Sequence, residues 1–152
     1  MKNFKCSCGS PVFFEDTICK CCEFTLGFEI KSMEMRCVKE DGQKLVDTKS
    51  RKTYKKCKNW SEFNVCNWLI ESDSKEELCF GCQFNRTVPN QSVENIPANN
   101  LRWLRLEQAK KRLIFSLMQM QLPLENGWNS NSKGLLFDFI AVSYTHLTLP
   151  TT

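Results

Sequence analysis

The chain has 152 residues, of which 41% are hydrophobic and 25% are charged, and its formal net charge is +4. That balance is typical of a folded protein and excludes a chain that is disordered throughout. The mild positive charge permits contact with nucleic acid but does not by itself predict it. The longest apolar run of the predicted helical region, residues 113–115, is far shorter than the roughly 20 residues of a membrane-spanning helix, so we predict no membrane partner.

Ten of the residues are cysteines, which is the outlying number in the composition. Chains this rich in cysteine are either disulfide scaffolds of oxidising compartments or metal-binding proteins of reducing ones. The first six residues, Met1 to Cys6, have no apolar run behind their lysines, and we therefore expect no secretory signal. The prediction is a cytoplasmic metal-binding protein, with a disulfide scaffold as the alternative.

The first part of the chain predicts short antiparallel strands. Aromatic residues alternate with turn residues and cysteines over residues 1–30, which indicates short hairpins around a metal ion. Two strand-like runs follow at residues 33–38 and 44–46, and the Asp41-Gly42 pair between them is a strong hairpin signal.

One long amphipathic helix is predicted at residues 101–122, with Asn100 as its N-cap and Pro123 as its stop. Its apolar residues form two stripes at three- and four-residue steps. The first stripe contains Trp103, Leu106, Ala109, Leu113, Leu117 and Met120, and the second contains Leu104, Phe115, Met118 and Leu122. A helix that is apolar on two sides normally lies between two packed layers. Residues 134–140 then predict the beginning of an orphan strand.

Eight of the cysteines fall into two sets with the spacing of zinc ligands. The first set is Cys6, Cys8, Cys19 and Cys22, and the second is Cys57, Cys66, Cys79 and Cys82. Zinc prefers four soft ligands in a tetrahedron, delivered as close pairs from tight turns. We expect Gly9 and Gly81 to give those turns backbone freedom. The sequence therefore predicts two structural zinc ions, each in a closed site of rubredoxin-like knuckles.

Disulfides and iron–sulfur ligation are the alternatives for these cysteines, although the spacing differs from that of common ferredoxins. Cys21 and Cys37 are left over, and we expect Cys37 to be a small buried hydrophobic residue. Each loaded site would carry a formal charge of −2. The lysines expected to offset that charge are Lys5 and Lys20 at the first site and Lys56 and Lys58 at the second.

The cysteines stand within a series of short motifs. These are Phe4-x-Cys6-x-Cys8-Gly9, Phe13-Phe14-Glu15, Cys19-x-x-Cys22, Leu26-Gly27-Phe28, Cys57-x-Asn59, Cys66-Asn67-Trp68-Leu69, Cys79-x-x-Cys82-x-x-Asn85-Arg86-Thr87-x-Pro89, Leu106-Glu107-x-Ala109-Lys110-x-Arg112-Leu113 and Phe137-Asp138-Phe139. Together the motifs resemble those of a bacterial family of proposed zinc-binding metallopeptidases, which carry a zinc-ribbon region at the N-terminus. The resemblance covers residues 4–141 and is most specific over residues 66–89.

The resemblance implies that the parent protein is a zinc hydrolase of unknown peptide substrate. In that family a His-Glu-x-x-His helix holds a catalytic zinc and its glutamate activates water. This chain has no such motif, and its one histidine is His146. We therefore expect no catalytic residue in it, no peptidase activity from it, and a third, catalytic zinc only in a missing C-terminal domain. That domain would be its main partner and would cover the second apolar stripe of the helix.

The last eleven residues, 142–152, carry no charge and resemble the in-frame translation of a sequencing adapter. We therefore expect a non-native tail and a gene cut near Ala141. The resulting fold class is α+β: a double zinc ribbon at residues 1–90, a linker at 91–100, and the helix and first strand of a peptidase-like domain at 101–141.

Two other functions stay open at this stage. A nucleic-acid-binding zinc ribbon would use the basic run Lys49, Arg51, Lys52, Lys55, Lys56 and Lys58, with Tyr54 and Trp60 interleaved to stack on bases. The less specific interpretation of that run is a solvated hairpin face. A protein-interaction module would instead dock through the two-sided helix.

Overall fold

The computed structural model describes residues 2–90, 96–128 and 133–140, with residues 96 and 97 described by their backbone alone. Two α-helices are present there, α1 (Lys58–Ser61) and α2 (Ile96–Gln119), and a short 3-10 turn spans Cys82–Phe84. The strands are β1 (Phe4–Lys5), β2 (Pro11–Val12), β3 (Thr25–Glu29), β4 (Glu34–Asp41), β5 (Lys44–Asp47), β6 (Thr53–Lys56), β7 (Leu69–Glu71), β8 (Asn85–Thr87) and β9 (Phe137–Asp138). The α+β prediction is confirmed.

Five consecutive strands, β3 to β7, form one antiparallel meander. The predicted hairpin is its β4–β5 pair, in which Asp41 pairs with Lys44. Gly42 is the first loop residue and has a φ of +62°, a value that glycine adopts without a steric penalty. The Asp-Gly signal therefore marks the turn correctly.

The meander curls until its first and last strands meet again. The backbone N–H of Phe28 in β3 donates to the carbonyl oxygen of Asn67, just before β7, at 2.8 Å. Gly27 makes this approach possible, since a Cβ atom there would lie 2.6 Å from Cγ of Leu69. The lack of a side chain at residue 27 thus lets β3 and β7 come together.

An aromatic cluster fills the core between this sheet and helix α2. Phe14 packs edge-on against Phe28 with ring centroids 5.0 Å apart, and Phe28 lies 4.8 Å from Trp68. Phe115 of α2 enters the same cluster, 5.2 Å from Phe14 and 5.7 Å from Phe28. Helix α2 therefore shares one hydrophobic core with the cysteine-bearing region.

The helix boundaries differ from those predicted. Helix α2 begins at Ile96, so residues 96–100 of the predicted linker are helical and residues 91–95 lie outside the described ranges. Asn100 is not an N-cap; its side-chain amide donates to the carbonyl oxygen of Phe63 at 3.0 Å. That tertiary contact within the helix outweighs the local capping preference.

The two apolar stripes of α2 are also not placed as predicted. We expected a missing domain to cover the second stripe. Phe115 is 1% exposed, and Met118 packs on the same core. Leu104 packs in a smaller cluster beside Trp103, while Leu122 is exposed. The exposed members of the first stripe are instead Leu106, Ala109, Leu113 and Met120. That prediction was wrong for Phe115 and Met118, because the core of the ribbon region covers them.

The expected orphan strand has a partner. β9 pairs in parallel with β8, with Asn85 opposite Phe137. The guanidinium of Arg86 donates to both carboxylate oxygens of Asp138, and the Thr87 hydroxyl donates to the same carboxylate at 2.7 Å. The predicted tail at residues 142–152 lies outside the described residues. Within those ranges, no helix combines the length and the apolar character needed to cross a membrane.

Changing Gly27 to Ala should destabilise the fold by about 1–3 kcal/mol, because the new methyl group would overpack against Leu69. Urea unfolding of the zinc-loaded protein measures the loss. Adding Leu69→Ala should cost less in the Gly27→Ala background than in the parent, since it removes the clash. Additive effects of the two changes would contradict the close approach of β3 and β7.

Candidate metal centres

The first cysteine set is assembled by two tight turns. Cys6 directly follows β1, and the backbone N–H of Gly9 donates to the Cys6 carbonyl oxygen at 3.0 Å, which closes the turn that carries Cys8. Gly9 has a φ of +90°, so the prediction that its backbone freedom is used is confirmed. The turn of Cys19 and Cys22 closes through the N–H of Glu23, which donates to the Cys19 carbonyl oxygen at 2.9 Å.

The second set is gathered from three separate segments. Cys57 lies between β6 and α1, and Cys66 lies in the segment before β7. Cys79 and Cys82 form a turn in which the Cys82 N–H donates to the Cys79 carbonyl oxygen at 3.0 Å. All four cysteines of this set are buried, whereas Cys8 of the first set is exposed and Cys22 is half-buried.

The sulfur atoms of each set have the separations of a tetrahedral zinc site. The four sulfur atoms of each set lie within 4.8 Å of one another. Cys6 and Cys22 are 3.5 Å apart, Cys8 and Cys19 3.7 Å, and Cys66 lies 3.7 Å from Cys79 and 3.8 Å from Cys82. A tetrahedron with Zn–S bonds of about 2.3 Å has edges of roughly 3.8 Å, whereas a disulfide would bring two sulfurs to about 2.05 Å.

Backbone amides also point at the sulfur atoms of the second set. The N–H of Trp68 donates to Sγ of Cys66 at 3.4 Å, and the N–H of Cys79 donates to Sγ of Cys57 at 3.3 Å. Such bonds stabilise thiolate over thiol. The two four-cysteine sites therefore fit two zinc ions. Ligation by the eight predicted cysteines stays a prediction, although the structure brings each predicted set together.

Two thiols of these sites show how the surroundings shift a cysteine pKa in opposite directions. Hydrogen bonds from Ser10 lower the pKa of the Cys8 thiol to about 6. Burial raises the pKa of the Cys79 thiol well above its ordinary value, and the neighbouring sulfurs of its set raise it further. Thiols packed this closely cannot all ionise without a cation, and metal binding must therefore displace protons.

Gly81 has a different role from the one predicted. Its φ is −68°, a value that any residue adopts, so the turn does not need glycine for backbone freedom. A Cβ atom at this position would instead lie 3.2 Å from the Trp68 ring and 3.6 Å from Cγ of Lys111. The glycine leaves room for those two side chains to cover the second cysteine set.

The two lysines predicted to offset the charge of the second set both lie within ion-pair distance of carboxylates. Lys56 pairs with Glu40 at 2.8 Å, and Lys58 lies 3.7 Å from Glu77. The buried lysine beside these cysteines is Lys111 of α2. Burial lowers its pKa, but negative charge on Cys66, Cys82 and Cys79 outweighs this and holds the pKa well above its ordinary value.

Sequence reasoning missed a buried polar cluster on α2. Glu107, Lys110 and Lys111 are each at most 3% exposed, and the Trp103 indole N–H donates to Glu107 at 3.1 Å. Lys110 lies 2.7 Å from Glu107, and Asn85 of β8 contacts both residues. A signal was available, because the charged residues share a helical face with Trp103 and Ile114.

The remaining cysteines stay outside both clusters. Cys37 is 4% exposed in the hydrophobic core, as predicted, and burial raises the pKa of its thiol. Cys21 is exposed.

The two aromatic residues of the basic run are not exposed to solvent. Tyr54 is 2% exposed and Trp60 is 6% exposed, so neither ring offers a face on which a base could stack. Lys55 donates to the Ser74 carbonyl oxygen at 2.7 Å. Lys55 and Lys56 thus have partners within the chain, and both rings are buried. These observations favour the solvated hairpin face over a nucleic-acid interface.

Two family profiles match the chain. The profile of a zinc-ribbon domain matches residues 3–93, and that of a "putative zinc-binding metallo-peptidase" matches residues 99–150, which includes most of the predicted tail. Uncharacterised proteins of Mycobacterium bovis and of two Mycobacterium tuberculosis strains are each 29% identical to it over 149 residues. The match covers 97% of this chain but 40% of each relative, so the chain spans about two fifths of their length. No solved structure gives a significant match.

The purified chain should hold two zinc ions, one in each set of four cysteines. Changing Cys79 to Ser should reduce the zinc content to one ion and unfold the second site, since metal binding supplies folding energy there. Elemental analysis and native mass spectrometry after anaerobic purification measure both results. Cys21→Ser is the control and should leave two ions bound; five disulfides in the parent protein would contradict the assignment.

Proposed function

Because the chain belongs to the zinc-ribbon family and its residues 99–150 match the zinc-binding metallopeptidase family, we propose that it is the structural zinc-binding region of a zinc-dependent peptidase. The two zinc ions of this region organise the fold and take no part in the reaction. The catalytic zinc is held elsewhere in the longer protein.

The observation that carries this proposal is the shared core of the ribbon and α2. The peptidase-family match begins at residue 99, inside α2 (Ile96–Gln119). The same helix packs Phe115 against Phe14 and Phe28 of the ribbon region. A zinc ribbon fused in this way to the first helix of the matched region can act as its support.

The chemistry of the cysteine sites supports a structural role. Each set offers four sulfur ligands, which completes the coordination that zinc prefers and leaves no position for a water molecule. A catalytic zinc needs such an open position. The His-Glu-x-x-His motif that would provide it does not occur in this sequence, whose one histidine is His146.

The exposed stripe of α2 gives the rest of the peptidase region a docking surface. Leu106, Leu113 and Met120 are 50%, 45% and 61% exposed along one side of the helix. We define this surface by those three residues with Ala109. The curated relatives are much longer than this chain, and burying such side chains contributes about 1.5–3 kcal/mol each. The proposed occupant is therefore the part of the peptidase region that follows in the longer protein.

The proposed activity is tested by comparing two proteins on one peptide library. The longer Mycobacterium tuberculosis relative should cleave peptides, lose the activity to a chelator and regain it with zinc. This chain should show no cleavage under the same conditions, because its sequence contains no His-Glu-x-x-His motif to hold an open zinc site. Chelator-sensitive cleavage by this chain, or none by the zinc-loaded relative, would contradict the proposal.

The docking surface makes a separate prediction about association. The chain should self-associate through the exposed stripe, since a contiguous apolar surface of this kind is seldom left uncovered. Leu106→Lys with Leu113→Lys should give a monomer in analytical ultracentrifugation. Gln119→Lys adds a charge to the same helix outside the stripe and should not change the association. A parent chain that stays monomeric at high concentration would refute the surface.

A further inference from the structure

Lys111 is a buried ammonium group without a close partner. It is 3% exposed, and its Nζ atom has no hydrogen-bond acceptor among the residues that the structure describes. The closest carboxylate is that of Glu107, with Oε2 at 4.0 Å. That oxygen already lies 2.7 Å from Nζ of Lys110. Glu107 and Lys110 therefore neutralise each other, and the charge of Lys111 is left over.

The side chain of Lys111 lies over the second cysteine set. Its Cγ is 3.6 Å from the position that a Cβ atom of Gly81 would take, inside the turn between Cys79 and Cys82. Its Nζ atom is 5.9 Å from the centre of the Trp68 ring. Lys111 and Cys66 also line the same cavity, of about 190 Å³, between the ribbon and α2.

The metal-loaded second site would supply the negative charge that Lys111 needs as a partner. Four thiolates around one Zn²⁺ carry a formal charge of −2, and all four cysteines are buried. An uncompensated buried charge of either sign is strongly destabilising. Lys111 and the four cysteines are all buried at this site, so the lysine offsets one of the two negative charges and gains a partner for its own.

We propose that Lys111 is the counter-ion of the metal at the second cysteine site, which links metal binding there to the docking of α2 on the ribbon. The inference rests on the proposed binding of zinc by this set. Lys111 is a positioning residue that carries the link between the ribbon and the helix with which the peptidase-family match begins.

The link works in both directions because coupling between two equilibria is reciprocal. Loss of the metal removes the charged metal–sulfur cluster that Lys111 faces and leaves this lysine buried without a counter-ion. Helix α2 then loosens. Loss of the lysine charge leaves an uncompensated anion at the second site, and the metal is then released more easily.

Zinc transfer from the full chain to a chromophoric chelator tests the first direction. The parent should release two zinc ions in separate phases, and Cys8→Ser identifies the phase of the first site by removing it. Lys111→Met keeps the side-chain length but removes the charge, and should accelerate release from the second site at least about tenfold. The first site should not change and serves as the internal control. Lys111→Arg should restore most of the parent rate.

Two further variants separate charge from packing. Ile114→Val loosens the same buried face of α2 without changing a charge, and Arg105→Met removes an exposed charge from the same helix. Neither variant should selectively accelerate zinc release from the second site. Equal acceleration by Lys111→Met and Ile114→Val would mean that packing alone is responsible, and would overturn the inference.

Hydrogen exchange of the α2 amides tests the other direction. Removing zinc should accelerate amide exchange in the middle of α2 of the parent chain. The acceleration should be smaller in Lys111→Met, because that variant has no buried charge left without a counter-ion. Equal factors in the two proteins would overturn the inference while leaving zinc binding intact. A parent chain without bound zinc would instead refute the proposed function from which the inference starts.

Discussion

The mutual repulsion of four closely packed thiolates is the constraint on which this structure depends. Each set holds its sulfurs within 4.8 Å of one another. Two unit charges at roughly 4 Å repel by about 4 kcal/mol at an effective dielectric constant of about 20. The strands around the first set, β1 and β2, have two residues each and cannot oppose such a force. The thiols must therefore either keep their protons or share a bound cation, and both sets have the separations that fit zinc.

The two sites meet that constraint in different surroundings. The first has an exposed cysteine at its rim, where water can screen the remaining negative charge. The second is buried under Trp68 and Lys111, and Gly81 leaves space for both. Burial excludes water, so compensation has to come from the chain itself. The charge of a metal site in the ribbon is consequently compensated by a residue of the following helix.

Because the second cysteine site depends on a residue of α2, the ribbon and the helix are not separate domains. A boundary near residue 100 separates two family matches, yet the aromatic core runs across it through Phe115. The Arg86 and Asp138 side chains join β8 to β9 across the same boundary. Ribbon and helix form one packed unit, and the exposed stripe of α2 faces away from it. The described part of the molecule can thus support a further domain on a helix that the ribbon already holds.

The sequence alone was sufficient for the features that depend on local spacing. It predicted the cysteine sets, the β4–β5 turn, the freedom of Gly9 and the existence of the long helix, because each follows from residues close together in the chain. Tertiary structure decided the covered stripe, the space-giving role of Gly81, the burial of Tyr54 and the position of Lys111. Those outcomes depend on which distant surface packs against a residue, and a periodic pattern shows that a helix has two apolar sides without showing which of them the sheet will cover.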